Sequence, residues 1–330
     1  MGFTITGGVS ITGGVSLTPP GGSPSPSPSH VFQGSNFGFS AGMATPTTSY
    51  IDKFSLSSDT DATDVGDLSK YKTNLSSNGQ SSSSSGYVSG GQTNPGNSII
   101  TDIDKFTFTS SGNATDIADL AYAVQHNCGH SSSNSGYCVG GKTTSPNSGF
   151  QSAIQKFPFS SDANATDSGD LTQNRYQSVE QTSSTHGYQS SGFTYNGGGS
   201  SVEGIDKFAF ATDSNATDVG DLYAKKYNAS GQSSSDNGYS SGGAGSAENI
   251  IQKFPFASDG NSTDVGDLNN AGSEKTSGQS STTTGHSSGG KREGASLTAR
   301  IEKFPFASDN NASIGANLTI SNEYPAGLQY

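Results

Sequence analysis

The chain predicts an all-β fold, a six-bladed β-propeller with about four strands per blade. Three observations carry that expectation. A segment typified by IDKFAFATDSNATDVGDL (205–222) recurs six times, with its phenylalanine at Phe54, Phe106, Phe157, Phe208, Phe254 and Phe304, so successive copies lie 46 to 52 residues apart. Periods of that size mark solenoids, propellers or arrays. A second segment, GQSSSSSGYVSGG at 79–91, alternates with the first; it returns at 129–141, 180–192, 231–243 and 278–290, and shortened, as GSNFGFSAG, at 34–42. Ser, Gly, Asn and Thr dominate the remainder, and they suit turns and short strands better than long helices.

Taken alone, the composition points elsewhere. With 29% hydrophobic residues, 45 Gly and no Trp in 330 residues, the chain resembles a disordered low-complexity segment. The repeat overrides that reading. A net charge of −12 excludes a sequence-independent nucleic-acid or anionic-membrane partner, since both require clustered Lys and Arg. There is no apolar run of the about 18 residues that spanning a membrane takes. The N-terminal MGFTITGGVSITGGVSL lacks the basic region and continuous apolar core of a secretory signal.

Taken in order, residues 1–18 repeat internally as TITGGVSITGGVSLT, which suggests one or two strands able to add to the sheet edge of a partner. Residues 19–30, PPGGSPSPSPSH, read as an extended linker. The propeller is expected over 31–330. In each unit, two strands flank the turn inside GQSSS-x-x-GYxSGG, the third is IxKFxF, and the fourth is the TDVGDL segment. Alternation puts the two aromatics of IxKFxF on one face and Ile and Lys on the other. Small residues near the axis would let the inner strands converge. The C-terminal NLTISNEYPAGLQY alternates once more and could complete the first blade or join a neighbouring subunit.

The recurring charges read as fasteners between blades. Lys53, Lys105, Lys156, Lys207, Lys253 and Lys303 are expected to pair with aspartates of the TD-x-x-D segments: Asp64/Asp67, Asp116/Asp119, Asp167/Asp170, Asp218/Asp221 and Asp264/Asp267. In the sixth unit Ile314 and Asn317 replace both aspartates, so Lys303 must find another partner or solvent. An alternative for the preceding turn is calcium, because Asp59-Thr-Asp61, Asp162-Ala-Asn164, Asp213-Ser-Asn215 and Asp259-Gly-Asn261 offer oxygens at alternate positions. No bidentate Glu follows at the twelfth position, and Ser111 replaces the first Asp in the second unit. The sequons at Asn113, Asn164, Asn215, Asn261 and Asn311 read more simply as turn residues. Cys128 and Cys138 could meet across a hairpin only if its register allowed it. His30, His126, His130, His186 and His286 form no repeated ligand ring, and no nucleophile–base pair or phosphate loop occurs, so no enzyme and no cofactor is expected.

Where GY-x-x-GG precedes a strand and an acidic turn, the units resemble kelch repeats, although the Trp of a kelch fourth strand is missing. The chain is more similar to kelch-like repeat proteins of tailed bacteriophages, marine and cyanobacterial ones especially. KFPFASDGNSTDVGDL (253–268) carries that similarity, which extends over about residues 33–318. The resemblance implies a virion structural protein, a fibre or appendage subunit, held to other virion subunits through residues 1–30 and itself a homo-oligomer. A receptor- or glycan-binding module of a phage tip or bacterial surface is the alternative, and a filament-forming subunit a third. Specificity would then reside in tips that differ between units: KYKTN (70–74), AVQHN (123–127), TQNRYQS (172–178) and YAKKYNA (223–229).

Overall fold

A computed structural model describes residues 33–42, 49–143, 149–195, 199–245, 248–269, 273–292 and 296–330. Among them every regular element is a strand, and six four-stranded antiparallel sheets stand around one axis as a six-bladed β-propeller. The N-terminal strand and linker expected over 1–30, and His30, lie outside the described residues.

The second blade shows how a unit folds. From the axis outward its strands are Gly79–Ser81, Ser85–Ser89, Asp102–Thr107 and Thr115–Asp119. The serines between the first two strands form the turn: the Ser82 N–H donates to Ser85 O at 2.9 Å, and the Ser85 N–H donates back to Ser82 Oγ at 3.0 Å. Ser132, Ser183, Ser234 and Ser281 close the same turn in the next four blades. Those blades run from Cys128–Ser131 to Thr166–Asp170, Val179–Thr182 to Thr217–Asp221, Ser230–Ser233 to Thr263–Asp267, and Ser277–Ser280 to Ser313–Asn322. In the first blade, Phe37–Ala41, Tyr50–Ser55 and Thr63–Asp67 come from the start of the repeat region, while the innermost strand is the C-terminal Ala326–Gln329. The C-terminal stretch therefore completes the first blade and closes the ring. That is also why the first unit has only half of the Ser/Gly segment.

Blades pack through alternate side chains of the third strand. Phe157 and Phe159 of the third blade lie against Tyr87 and Ile103 of the second; Tyr87 stacks on Phe159 with ring centroids 4.8 Å apart and meets Phe157 at 5.6 Å. Tyr137, Tyr188 and Tyr239 repeat the arrangement against Phe208/Phe210, Phe254/Phe256 and Phe304/Phe306. Phe39 takes the tyrosine's place against Phe106 and Phe108, and His286 takes it against Phe54. Each buried ring contributes roughly 1.5–3 kcal/mol. The glycine before the tyrosine makes room: a Cβ at Gly136 would stand 2.3 Å from the Phe157 ring.

At the axis the inner strands nearly touch. Gly79, Gly129, Gly231, Gly278 and Gly327 begin the inward-facing positions of five blades, and a Cβ on Gly278 would lie only 1.8 Å from Gly231 O. Two residues further on, hydroxyls and amides link blade to blade: the Ser81 N–H donates to Ser131 Oγ, the Thr182 N–H to Ser233 Oγ, the Ser233 N–H to Ser280 Oγ, and the Ser280 N–H to Gln329 Oε1. The other end of the axis is plugged. Asn74, His126, Gln177, Asn228, Lys275 and Tyr324, one per unit, hold left-handed φ values between 52° and 61°, an uncommon conformation outside glycine. Their backbones form a girdle, with the His126 N–H donating to Asn74 O, Gln177 to His126, Asn228 to Gln177, Lys275 to Asn228 and Tyr324 to Lys275. Across it the Gln177 amide donates to Tyr324 Oη at 3.0 Å, and His126 packs edge-on against Tyr324.

Candidate functional site

The lysines do bridge blades, but not to the predicted aspartates. Lys105 pairs with Asp162 at 2.9 Å, Lys156 with Asp213 at 2.9 Å, Lys207 with Asp259 at 2.9 Å and Lys253 with Asp309 at 2.5 Å. Lys303 pairs with Asp59 and so fastens the sixth blade to the first. Register explains the correction. Lys105 lies opposite Thr115, whereas Asp116 lies opposite Asp104, on the other face of the sheet. The same offset turns Asp64, Asp167, Asp218 and Asp264 away from their own lysine. Asp64, Asp167, Asp218 and Asp264 instead accept the N–H two residues on, and Asp67, Asp119 and Asp170 accept the hydroxyls of Ser49, Thr101 and Ser152. Ser111 stands where the second unit would offer an aspartate, and there Lys53 donates to Phe108 O and lies 3.9 Å over the Phe37 ring.

The turn considered for calcium thus supplies the lysine's partner. Its second oxygen residue is a clip to the preceding blade: Asn113, Asn164, Asn215, Asn261 and Asn311 accept the N–H of Asp67, Asp119, Asp170, Asp221 and Asp267, and Asp61 accepts that of Asn317. Among the described residues, no group of three or more His, Cys, Asp or Glu is placed to hold a metal ion. Cys128 and Cys138 are free and buried. Cys138 lies opposite Gly129, one position along from Cys128, so the two thiols point to opposite faces. Burial pushes the Cys138 thiol up to about 12 and holds His130 and His286 at about 4.

One charged layer was not foreseen. The residue before each lysine points to the opposite face and meets the loop arriving from the preceding blade. Lys72 pairs with Asp104 at 3.1 Å and Arg175 with Asp206 at 2.9 Å, all four side chains fully buried. Ser69 and Thr172 add backbone and hydroxyl bonds to those carboxylates, as Thr319 does to Asp52. The corresponding residues are Val124 with Gln155 in the third blade and Lys226 with Gln252 in the fifth. Lys226 donates to Ile250 O at 2.7 Å, and burial, with no carboxylate in ion-pair contact among the described residues, lowers it to about 7. The signal was present in the sequence: an acid preceding the strand lysine in the second and fourth units, with a Lys or Arg four residues after the preceding Asp-Leu.

Antiparallel topology sorts the connections. Inner-to-second hairpins and third-to-outer turns, nearly identical in all units, fall at one end of the blades. The second-to-third loops and the links between blades, which differ from unit to unit, fall at the other. There Lys72–Thr73 pairs with Gln92–Thr93, Tyr176 with Phe193, and Lys226–Tyr227 with Ala244–Gly245. Within the expected tips, Lys72, Val124, His126, Arg175, Gln177 and Lys226 are buried support. Exposed residues at this end include Lys70, Thr172, Asn174 and Lys225 together with four tyrosines, Tyr71, Tyr122, Tyr195 and Tyr223, which are 45–67% exposed, and a half-buried cluster joins Phe150, Tyr176, Phe193 and Tyr227. Compared with known proteins, the chain matches no family model and no curated sequence.

Proposed function

We propose that this protein is a non-enzymatic display and recognition module of a phage virion appendage, in which a rigid propeller presents one variable face to a surface glycan or receptor. The observation that carries the reading is the segregation just described: six copied sets of fasteners build the ring, while inter-unit differences and exposed tyrosines share one end of it. Tyrosine offers large, stiff contact area with a polar tip, which suits recognition. The motif resemblance supports a virion as the larger assembly, with residues 1–30 as the attachment.

Binding of the labelled full chain to a panel of bacterial cells and their surface polysaccharides tests the reading. Saturable binding to a narrow set, reduced by substitutions at the exposed tyrosines, is expected. A folded chain that binds no cell would sink it. In phage particles, deletion of residues 1–30 is expected to abolish incorporation while the ring still folds.

A further inference from the structure

A cleft of about 500 Å³ opens at the rim of the ring, where the link from the first blade meets the second-to-third loop of the second and reaches Asn113 in that blade's third-to-outer turn. Tyr71, half exposed, forms one side, and Asn94 and Pro95 stand among the other lining residues. Asp67 and Asn113 supply hydrogen-bonding groups. Asp67 Oδ1 accepts the Ser49 hydroxyl at 2.8 Å, leaving Oδ2 as an acceptor. Asn113 Oδ1 accepts the Asp67 N–H at 3.1 Å, leaving its amide NH2 as a donor. Lys70, at the edge, is held by Asp102 and, at 3.5 Å, by Asp116.

We propose that this cleft binds an uncharged hexose, its C–H face against the Tyr71 ring and its hydroxyls on Asp67 and Asn113. The inference rests on the recognition reading and names its ligand class and place. The volume lies within the range of small-ligand sites, about 300–1,000 Å³. An aromatic wall beside an acceptor and a donor matches a ring that has an apolar face and a rim of hydroxyls. Charge selects among sugars: the Lys70 ammonium is already paired with Asp102 and Asp116, and the Asp67 carboxylate lines the cleft, so a uronic acid or phosphorylated sugar would meet net repulsion.

The test uses the folded full chain with the methyl glycosides of glucose, galactose and mannose, and with galacturonic acid as the charged comparator. Ligand-observed saturation transfer and titration calorimetry report binding. At least one neutral glycoside is expected to bind, with saturation strongest on its C–H face; Tyr71→Ala lowers its affinity about tenfold or more, Tyr71→Phe retains most of it, and Ile314→Ala, an exposed position on the outer strand of the sixth blade, leaves it unchanged. Absence of binding by all three neutral glycosides, tighter binding of galacturonic acid, or full affinity in Tyr71→Ala would overturn the proposal. Cell binding separates the two levels: if Tyr71→Ala still binds cells as the parent does, the cleft is wrong and the recognition reading survives, whereas a parent that binds no cells removes both.

Discussion

Replacing Lys72 by Met isolates the buried charge layer. The substitution keeps most of the aliphatic stem but strips the carboxylate of Asp104 of its ammonium at 3.1 Å, in a site where both side chains are fully buried. Among the described residues, the Ser69 N–H and hydroxyl remain on that carboxylate. Breaking such a pair from one side costs about 3–5 kcal/mol, because a charge stays buried without compensation. With an unfolding entropy of roughly 2.1 cal/mol/K per residue over the ring of residues 33–330, one kcal/mol moves Tm by roughly 1.6 °C, so the expected shift is about 5–8 °C. Lys72→Met/Asp104→Gln removes both charges and imitates the third blade, where Val124 and Gln155 occupy these positions. It is expected to lie within about 1 kcal/mol of the parent. Urea unfolding followed by tyrosine fluorescence, which no Trp obscures, gives both numbers. If the double variant loses as much as the single one, the cost comes from packing rather than charge. A loss under about 1 kcal/mol in the single variant refutes the reasoning equally.

Three further outcomes follow from the same geometry. Gly278→Ala is expected to destabilise the ring strongly, its Cβ meeting Gly231 O at 1.8 Å, whereas Gly112→Ala meets nothing within 4 Å and should be neutral or gain about 0.4–1 kcal/mol in denaturant unfolding. Asp162→Ala breaks a pair whose carboxylate side chain is 53% exposed, and is expected to cost less than about 1 kcal/mol in the same assay. Lys226 and Glu180 give opposite pH slopes. Lys226 is lowered from 10.5 to about 7, so the unfolded chain holds the extra proton between those values and stability rises with pH across that window; Lys226→Met should flatten it in melts at stepped pH. Burial raises the Glu180 carboxyl well above 4.5, so there the folded chain holds the proton and stability falls as pH rises from that value; Glu180→Gln should remove that fall.

Glu180 also shows what the repeat could not reveal. It stands where five units have an axial glycine, and its Oε2 is buried without a hydrogen-bond partner among the described residues. At the same junction Thr182 Oγ1 lies 3.4 Å from His130 Nδ1. In the sequence Glu180 is a single departure within a Ser/Gly motif. Its position on the axis follows from ring closure, which brings together residues of all six units.

The sequence by itself determined the blade count, the four strands of each unit, and which faces carry the aromatics and the lysines. Each of these follows from a period, of about 50 residues for the blade or two for the strand, and a period is readable one residue at a time. Which acid each lysine meets was decided only in the folded ring. The TD-x-x-D aspartates are nearer along the chain, but the outer-strand register turns them to the opposite face and brings the next blade's turn over the lysine instead. The buried Lys72–Asp104 and Arg175–Asp206 pairs, the girdle that plugs the axis and the cleft beside Tyr71 likewise join residues of different units. Such contacts are fixed by how one blade sits against the next, a relation that no segment of a single unit contains.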